Sequence, residues 1–356
     1  MGPTALQNYA DSLGAASVGE YRGALTAERF GDPQAELEAL STGCGVYDLG
    51  YRSKLLITGG DRVRWLNGMV TNNIRDLAVG EGVYAFLLNP QGRILGDLYA
   101  YNRGESIVID TDQSQVEKIL ATFDHYIIMD DVEVKNISEQ TTALGIAGPR
   151  AREVARACGI EIPEAAPLQI FDVTCSCDCD CTKCTCVRGE DPEHESYELW
   201  LKPVDAKKTW DALVAHGATP VGSDALELHR IKSGIPRYGV DIRERDLPQE
   251  TEQTRALNFN KGCYIGQEIV ERIRSRGAVH RKFTGFIWVD GGMVELGSKI
   301  FVGEKEVGEI TSARVLGEHH RGLALGYIRR EAAIPGKEVV IGTTPARVAE
   351  LPFRKL

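Results

Sequence analysis

Apolar positions in the first two thirds of the chain switch irregularly between period two and a spacing of three and four, the marks of strands and helices. KLLITG (54–59), YAFLLN (84–89), ILGDLYAYN (94–102) and SIVIDT (106–111) read as strands, the second and third joined by the turn sequence Pro90-Gln91-Gly92. TALGIAGP (142–149) reads as a strand running into a turn, and YELWL (197–201) as another strand. Asp32-Pro33, an N-cap followed by Pro at N1, predicts a short helix to about Leu40. Asp61 is expected to cap a helix with Val63, Leu66 and Met69 on one face. Asp112 is expected to cap one carrying Val116, Ile119, Leu120 and Phe123, and Pro149 to open one reaching Cys158. VDAKKTWDALVAHG (204–217) reads as a helix closed by Gly217 at C′. A further helix runs from Ser223 to about Ser233, stopped by Gly234 and Pro236.

From Phe283 onward the texture changes. Short alternating runs (FTGFIWV, KIFVG, EITSARV, ALGYI, EVVIG, ARVAEL) separated by Gly and charge predict a small all-β barrel. Residues 1–30, with weak periodicity, read as an N-terminal arm. The irregular alternation elsewhere predicts α+β modules with antiparallel sheets and not a doubly wound nucleotide fold. Neither G-x-G-x-x-G after a strand nor a P-loop is present.

Residues Lys261 to Glu268 read Lys-Gly-Cys-Tyr-Ile-Gly-Gln-Glu. Gly262 and Gly266 punctuate a tight loop, and Gln267 opens QEIVERIR, whose Ile269, Val270 and Ile273 fall on one helix face. The lone thiol of Cys263, flanked by Lys261 and Tyr264, lies just before that helix. A helix N-terminus and the charges of Lys261, Arg272 or Arg274 favour thiolate. The alternative is a buried, inert cysteine in a tight turn.

The 356 residues suffice for two or three domains, and 43% apolar with 26% charged residues is ordinary globular composition. A net charge of −10 argues against broad nucleic-acid coating. The one dense basic stretch, Arg272, Arg274, Arg276, His280, Arg281 and Lys282, is either a solvated face or an anion site for phosphate or a polyglutamate tail. No stretch approaches the roughly 18 apolar residues of a membrane helix, and the N-terminus lacks a signal-peptide pattern. A cytoplasmic protein with nine reduced thiols is expected, without membrane partners. In TCSCDCDCTKCTC (174–186), Cys175, Cys177, Cys179 and Cys181 alternate with polar residues, so a strand would put all four thiols on one face. Cys184 and Cys186 would return on a partner strand, and His194 is a further candidate ligand. The pattern reads either as a soft-metal site, for zinc, copper(I) or a transient iron–sulfur cluster, or as a half-buried strand with small inward residues.

The octapeptide and its neighbours resemble the YgfZ-type folate-binding proteins, relatives of the T-protein (aminomethyltransferase) of the glycine cleavage system. The likeness begins in CGVYDLGYRSKLLITGGD (44–61), LNGMVTNNIRDL (66–77), LLNPQGRILGDLYAY (87–101) and IAGPRA (146–151). It is completed by HRIKSGIPRYGVDI (229–242), LPQET (247–251) and NKGCYIGQEIVERIRSRG (260–277). It implies an α+β, T-protein-like multi-domain ring around a central folate cavity with a C-terminal small β-barrel. The implied divisions are an arm (1–30), a discontinuous domain (31–54 with 143–260), an inserted domain (55–142), a motif segment and linker (261–282) and the barrel (283–356).

By this resemblance Asp97 matches an aspartate beside the reactive nitrogens of tetrahydrofolate. Glu198 matches a glutamate on the pterin edge, although the loop before it, GEDPEHES (189–196), departs from the family pattern. Arg230 matches an arginine near the folate, the alternative being an ordinary helix-surface ion pair; Tyr84 and Tyr238 are candidates to stack on the pterin, with core packing the other role open to each. The implied function is binding of tetrahydrofolate or a one-carbon derivative in support of iron–sulfur cluster assembly or maintenance, and through it of tRNA modification. Iron–sulfur enzymes or assembly proteins would be partners, and Cys263 the reactive thiol. The alternatives are an aminomethyltransferase-like one-carbon transferase, and a metal-binding protein built on the cysteine run.

Overall fold

A computed structural model describes residues 2–174, 183–277, 279–289, 292–316 and 321–353. The chain divides into two compact units. Residues 1–67, 73–85 and 98–226 form the first, and 68–72, 86–97 and 227–356 the second.

The first unit opens with β1 (Gly2–Pro3), β2 (Ser17–Tyr21) and β3 (Ala24–Arg29), a sheet in the order β1-β3-β2. The segment expected to be an arm is thus an ordered sheet. Its weak periodicity hides specific anchors: Thr4 and Thr26 donate to the buried carboxylate of Asp48. The two-residue turn between β2 and β3, Arg22-Gly23, has positive φ at both positions (52° and 95°), which suits the twist of a tight hairpin. It carries Arg22 to Asp112.

Helix α1 (Pro33–Thr42) begins as expected, with the Asp32 side chain accepting from the Gln34 N–H at 3.3 Å. Next come β4 (Gly45–Asp48), β5 (Arg52–Thr58), α2 (Arg62–Met69), β6 (Gly82–Leu88), β7 (Ile94–Asn102), β8 (Ile107–Asp112), α3 (Val116–Tyr126) and β9 (Glu133–Asn136). They are followed by β10 (Thr142–Ala147), α4 (Ala151–Ala157), β11 (Ile170–Val173), β12 (Cys184–Arg188), β13 (Ser196–Leu201), α5 (Ala206–Ala215), β14 (Thr219–Val221) and α6 (Ser223–Lys232). Two sheets result, one ordered β11-β12-β13-β10-β4-β14 and one β6-β7-β8-β5-β9. Strands β6 and β7 run through both units, with the turn at 89–93 in the second.

Two boundary expectations change. Asp112 ends β8 and makes no side-chain cap, because its carboxylate is held by Arg22 and Arg52. Pro149 lies in the turn before α4, whose N-cap is Arg150.

The second unit contains α7 (Gln267–Arg276) and β15 (Arg281–Trp288), β16 (Lys299–Val302), β17 (Lys305–Leu316), β18 (Arg321–Arg329), β19 (Glu338–Ile341) and β20 (Thr344–Ala349). These six strands close into a barrel in the order β15-β18-β17-β16-β19-β20 around Phe286, Trp288, Ile300, Ile310, Ile328 and Val348. The expected α+β fold with a C-terminal barrel is therefore present. Among the described residues no helix is long and apolar enough to cross a membrane.

Candidate functional site

Register builds the charged heart of the first unit. Strands β5 and β8 pair with Arg52 opposite Asp112 and Lys54 opposite Asp110, and β7 adds Tyr99 on the other side of Asp110. Directly paired side chains point to the same face, so these groups converge. Asp110 accepts from Arg52 and from Lys54, each at 2.7 Å, and Asp112 accepts from Arg52 at 2.6 Å and from Arg22 at 3.0 Å. Burial opposes ionisation of Asp110, but the Arg52 and Lys54 charges overcome it and hold the carboxyl below its ordinary range.

Glu198 stands beside this ladder. It lies on β13 opposite Gly145 of β10, which in turn lies opposite Tyr47 of β4. A Cβ on Gly145 would come within 2.0 Å of the Tyr47 ring, so only glycine lets that ring lie over the strand next to Glu198. Trp200, two residues on and on the same face, donates its indole N–H to Glu198 Oε2 at 2.9 Å. Glu198 Oε1 has no hydrogen-bond partner among the described residues. Burial, and then the charge of Asp110, push the Glu198 carboxyl up against the opposing pull of Lys54 and Arg52.

A file of aromatic rings leads away from Glu198. Tyr101 meets Trp200 edge-on at 5.6 Å, Tyr99 lies 6.4 Å from Tyr101, and Tyr84 lies 5.0 Å from Tyr99. The structure thus brings Tyr84 and Glu198 into one aromatic cluster. The divergent loop before Glu198 is folded around a side chain that sequence reading did not single out. Arg188 donates to the carbonyls of Gly189, Asp191, His194 and Ser196. A half-buried carboxylate with one open oxygen, walled by aromatic rings, suits a flat ligand edge carrying two N–H donors.

The second unit holds the other candidates. Asp97 is half-buried on β7, on the same face as Leu95 by period two. Tyr238 donates its hydroxyl to the Leu95 carbonyl at 2.5 Å, a bond that ties its loop to β7.

Arg230 is held by partners on its own helix and beyond it. Its Nε donates to Glu227 at 3.0 Å, its Nη1 to Ile235 O and Asp241 at 2.5 and 2.7 Å, and its Nη2 to Glu227 and Ser312 at 2.6 and 2.8 Å. These bonds use all five N–H donors of a guanidinium. With 4% of its side chain exposed, Arg230 is an internal bolt. A bulge at Thr311 in β17 lets two consecutive hydroxyls, those of Thr311 and Ser312, reach the same Asp241 oxygen.

The octapeptide is a loop followed by α7, with Gly266 as N-cap at φ 81°. A Cβ on Gly266 would lie 2.6 Å from the Asn89 carbonyl and 3.1 Å from Gly92 Cα, so the motif seats directly on the β6–β7 turn. Gly92, at φ 71°, in turn packs on Ile269. Lys261 is buried, and its ammonium donates to the carbonyls of Val70 and Asn72 and faces the Tyr264 ring at 5.0 Å. Lys261 therefore serves the backbone of 70–72. Gln267 starts the helix and Glu268 is exposed in its first turn. Cys263 is exposed, which sets aside the buried, inert reading.

Three residues of the basic stretch are paired. Arg274 bonds Glu271 and lies 4.3 Å from the Phe259 ring centroid, Arg281 clamps Asp246 and Glu250, and Lys282 reaches Glu252. Of the cysteine run, Cys175, Cys177, Cys179 and Cys181 lie outside the described residues. Cys184 and Cys186 are on β12, opposite Val173 and Phe171, with their side chains in the apolar core. His194 faces Asp191 at 3.0 Å. Among the described residues no group of three or more His, Cys, Asp or Glu side chains is placed to hold a metal.

The sequence profile of the GCVT N-terminal domain matches residues 9–261, and that of the glycine cleavage T-protein C-terminal barrel domain matches 281–355. An aminomethyltransferase of Rubrobacter xylanophilus is 28% identical over 346 residues, covering 96% of this chain and 91% of that protein. One from Thermus thermophilus is 27% identical over 344 residues, covering 96% and 95%. The crystal structure of glycine cleavage system aminomethyltransferase T from Bartonella henselae matches with a TM-score of 0.87 at 20% identity, covering 98% of this chain and 97% of that one, a likeness of fold. The chain belongs to the glycine cleavage T-protein family, whose members bind tetrahydrofolate.

Proposed function

We propose that this protein binds tetrahydrofolate or a one-carbon derivative and, as a YgfZ-type member of its family, supports assembly or maintenance of iron–sulfur clusters. The observation that carries the folate reading is Glu198, with one oxygen held by Trp200 and the other open beside a file of tyrosines. The two oxygens would accept from the amino and ring N–H groups of the pterin, and Tyr84 and its neighbours would wall the ring. Asp97 is assigned to the reacting end, where a carboxylate holds or moves a proton at a ring nitrogen. Bound folate supplies the nitrogens that carry the one-carbon unit. Arg230 supports the fold from within.

Cys263 ranks cluster support above one-carbon transfer. It is exposed in the KGCYIGQE segment on which the YgfZ resemblance rests. Aminomethyl transfer from a lipoyl carrier to tetrahydrofolate, with release of ammonia, is the second reading, favoured by the names of the relatives that span nearly the whole chain. A glycine-cleavage assay with lipoylated carrier protein separates the two. The first reading expects no product, and robust methylene-tetrahydrofolate formation establishes the second. A Cys263→Ser variant is expected to lose rescue of cluster-enzyme activity in a deletion strain. Full rescue would remove the thiol from the account.

A further inference from the structure

The charge ladder of the first unit ends on Trp200, and Trp200 ends on Glu198. The Lys54 side chain has no solvent exposure, and its ammonium lies 4.5 Å from the Trp200 ring centroid while donating to Asp110 at 2.7 Å. A desolvated cation on an indole face is a strong contact. The same indole donates its N–H to Glu198 Oε2 at 2.9 Å. Asp110, Lys54, Trp200 and Glu198 therefore form a continuous chain from the β5–β8 pair to the open oxygen of the carboxylate. We propose that Trp200, clamped on its ring face by Lys54, is a positioning residue that fixes the Glu198 carboxylate and presents its free oxygen to the donor edge of the ligand. The inference rests on the folate reading for the identity of that ligand, but the clamp is a property of the chain alone.

The groups facing Glu198 set what happens when the clamp is cut. Asp110 on β8 repels its charge, while Lys54 and Arg52 on β5 attract it. Tyr47 on β4 and Tyr101 on β7 also face it, both with phenols that burial and Glu198 push upward. Loss of the Trp200 N–H or of the Lys54 charge leaves Asp110 and burial less opposed. Glu198 then takes up a proton at a higher pH, and a protonated carboxyl has one acceptor fewer for the ligand.

The test uses the full chain in two measurements. In the first, the Trp200 indole N–H resonance, assigned as the peak lost in Trp200→Phe, is followed by NMR against pH. It is expected to shift as Glu198 titrates, to lose that shift in Glu198→Gln, to move its midpoint to higher pH in Lys54→Met, and to recover in Lys54→Arg. In the second, tetrahydrofolate affinity is measured against pH for the wild type, Trp200→Phe and Glu198→Gln. Trp200→Phe is expected to weaken binding by about tenfold near neutral pH, the scale of one hydrogen bond to a charged group, and to regain part of it at higher pH. A pH-independent Trp200 resonance overturns the clamp whatever the ligand. Unchanged binding in Trp200→Phe together with lost binding in Glu198→Gln overturns the positioning role and leaves the folate reading standing. Unchanged binding in Glu198→Gln removes Glu198 from the ligand site, and the positioning role falls with it. Trp200→Phe keeps a ring over Lys54, so it remains decisive should Lys54→Met fail to fold.

Discussion

Lys261 donates its ammonium proton to the backbone carbonyl of Val70 at 2.5 Å, and a second to Asn72 at 2.8 Å. The first residue of the octapeptide is thus a staple for a segment 191 positions earlier. Next to it, Thr71 donates to Ala256 O and accepts from the Phe86 N–H. Lys261→Met strands two carbonyls and is expected to destabilise the protein by about 2–4 kcal/mol in urea unfolding. Unchanged stability would mean that the staple carries no load.

Cys263 behaves oppositely. It is exposed, so Cys263→Ser is expected to leave stability within about 0.5 kcal/mol of wild type. The buried thiols are shielded: burial pushes Cys44 up to about 12 and Cys158 to about 11. Peptide-mapped alkylation of the native protein should label Cys263 and spare Cys44, Cys158, Cys184 and Cys186 until denaturant is added. Native labelling of Cys184 or Cys186 at the rate of Cys263 would contradict their place in the core.

Arg230→Lys is expected to destabilise by about 3–5 kcal/mol, because three donors replace five among buried acids. Thermal and urea unfolding would check this. A variant as stable as wild type, with ligand affinity alone reduced, would restore Arg230 to the binding site.

Asp110→Asn leaves the Lys54 ammonium without its carboxylate and is expected to destabilise by about 3–5 kcal/mol at neutral pH. The folded pKa of Asp110 is depressed. Its contribution is therefore fully present above the unfolded value of about 3.9 and is lost as pH falls through the lower folded value. The gap between wild type and variant should hold from pH 7 to about 5 and narrow below about 4. A gap independent of pH would assign the loss to packing.

What the sequence made legible was local. Periodicity located the barrel, the β6–β7 hairpin and α7, and Asp32 announced its own helix. The octapeptide itself drew attention to Cys263, and the resemblance added Glu198. Partnerships that depend on register stayed hidden. Lys54 and Asp110 look like stray charges in apolar strands until β5 and β8 are paired. Asp112 reads as a cap because the hairpin that brings Arg22 to it lies 90 residues away in a segment of weak pattern. Arg230 enters through the resemblance alone, and its bond to Ser312, 82 residues on and beside a bulge in the barrel, is not visible in the sequence. Gly266 marks a helix start in sequence, but its contact with Gly92 is set by tertiary packing.

The most direct test is an anaerobic calorimetric titration of tetrahydrofolate into the wild type and Glu198→Gln, with folding of both verified. Saturable binding to the wild type is expected, with a loss of at least about tenfold in the variant, since a neutral amide presents a donor where the ligand also donates. Absence of binding of any reduced folate to the folded wild-type chain would contradict the folate reading.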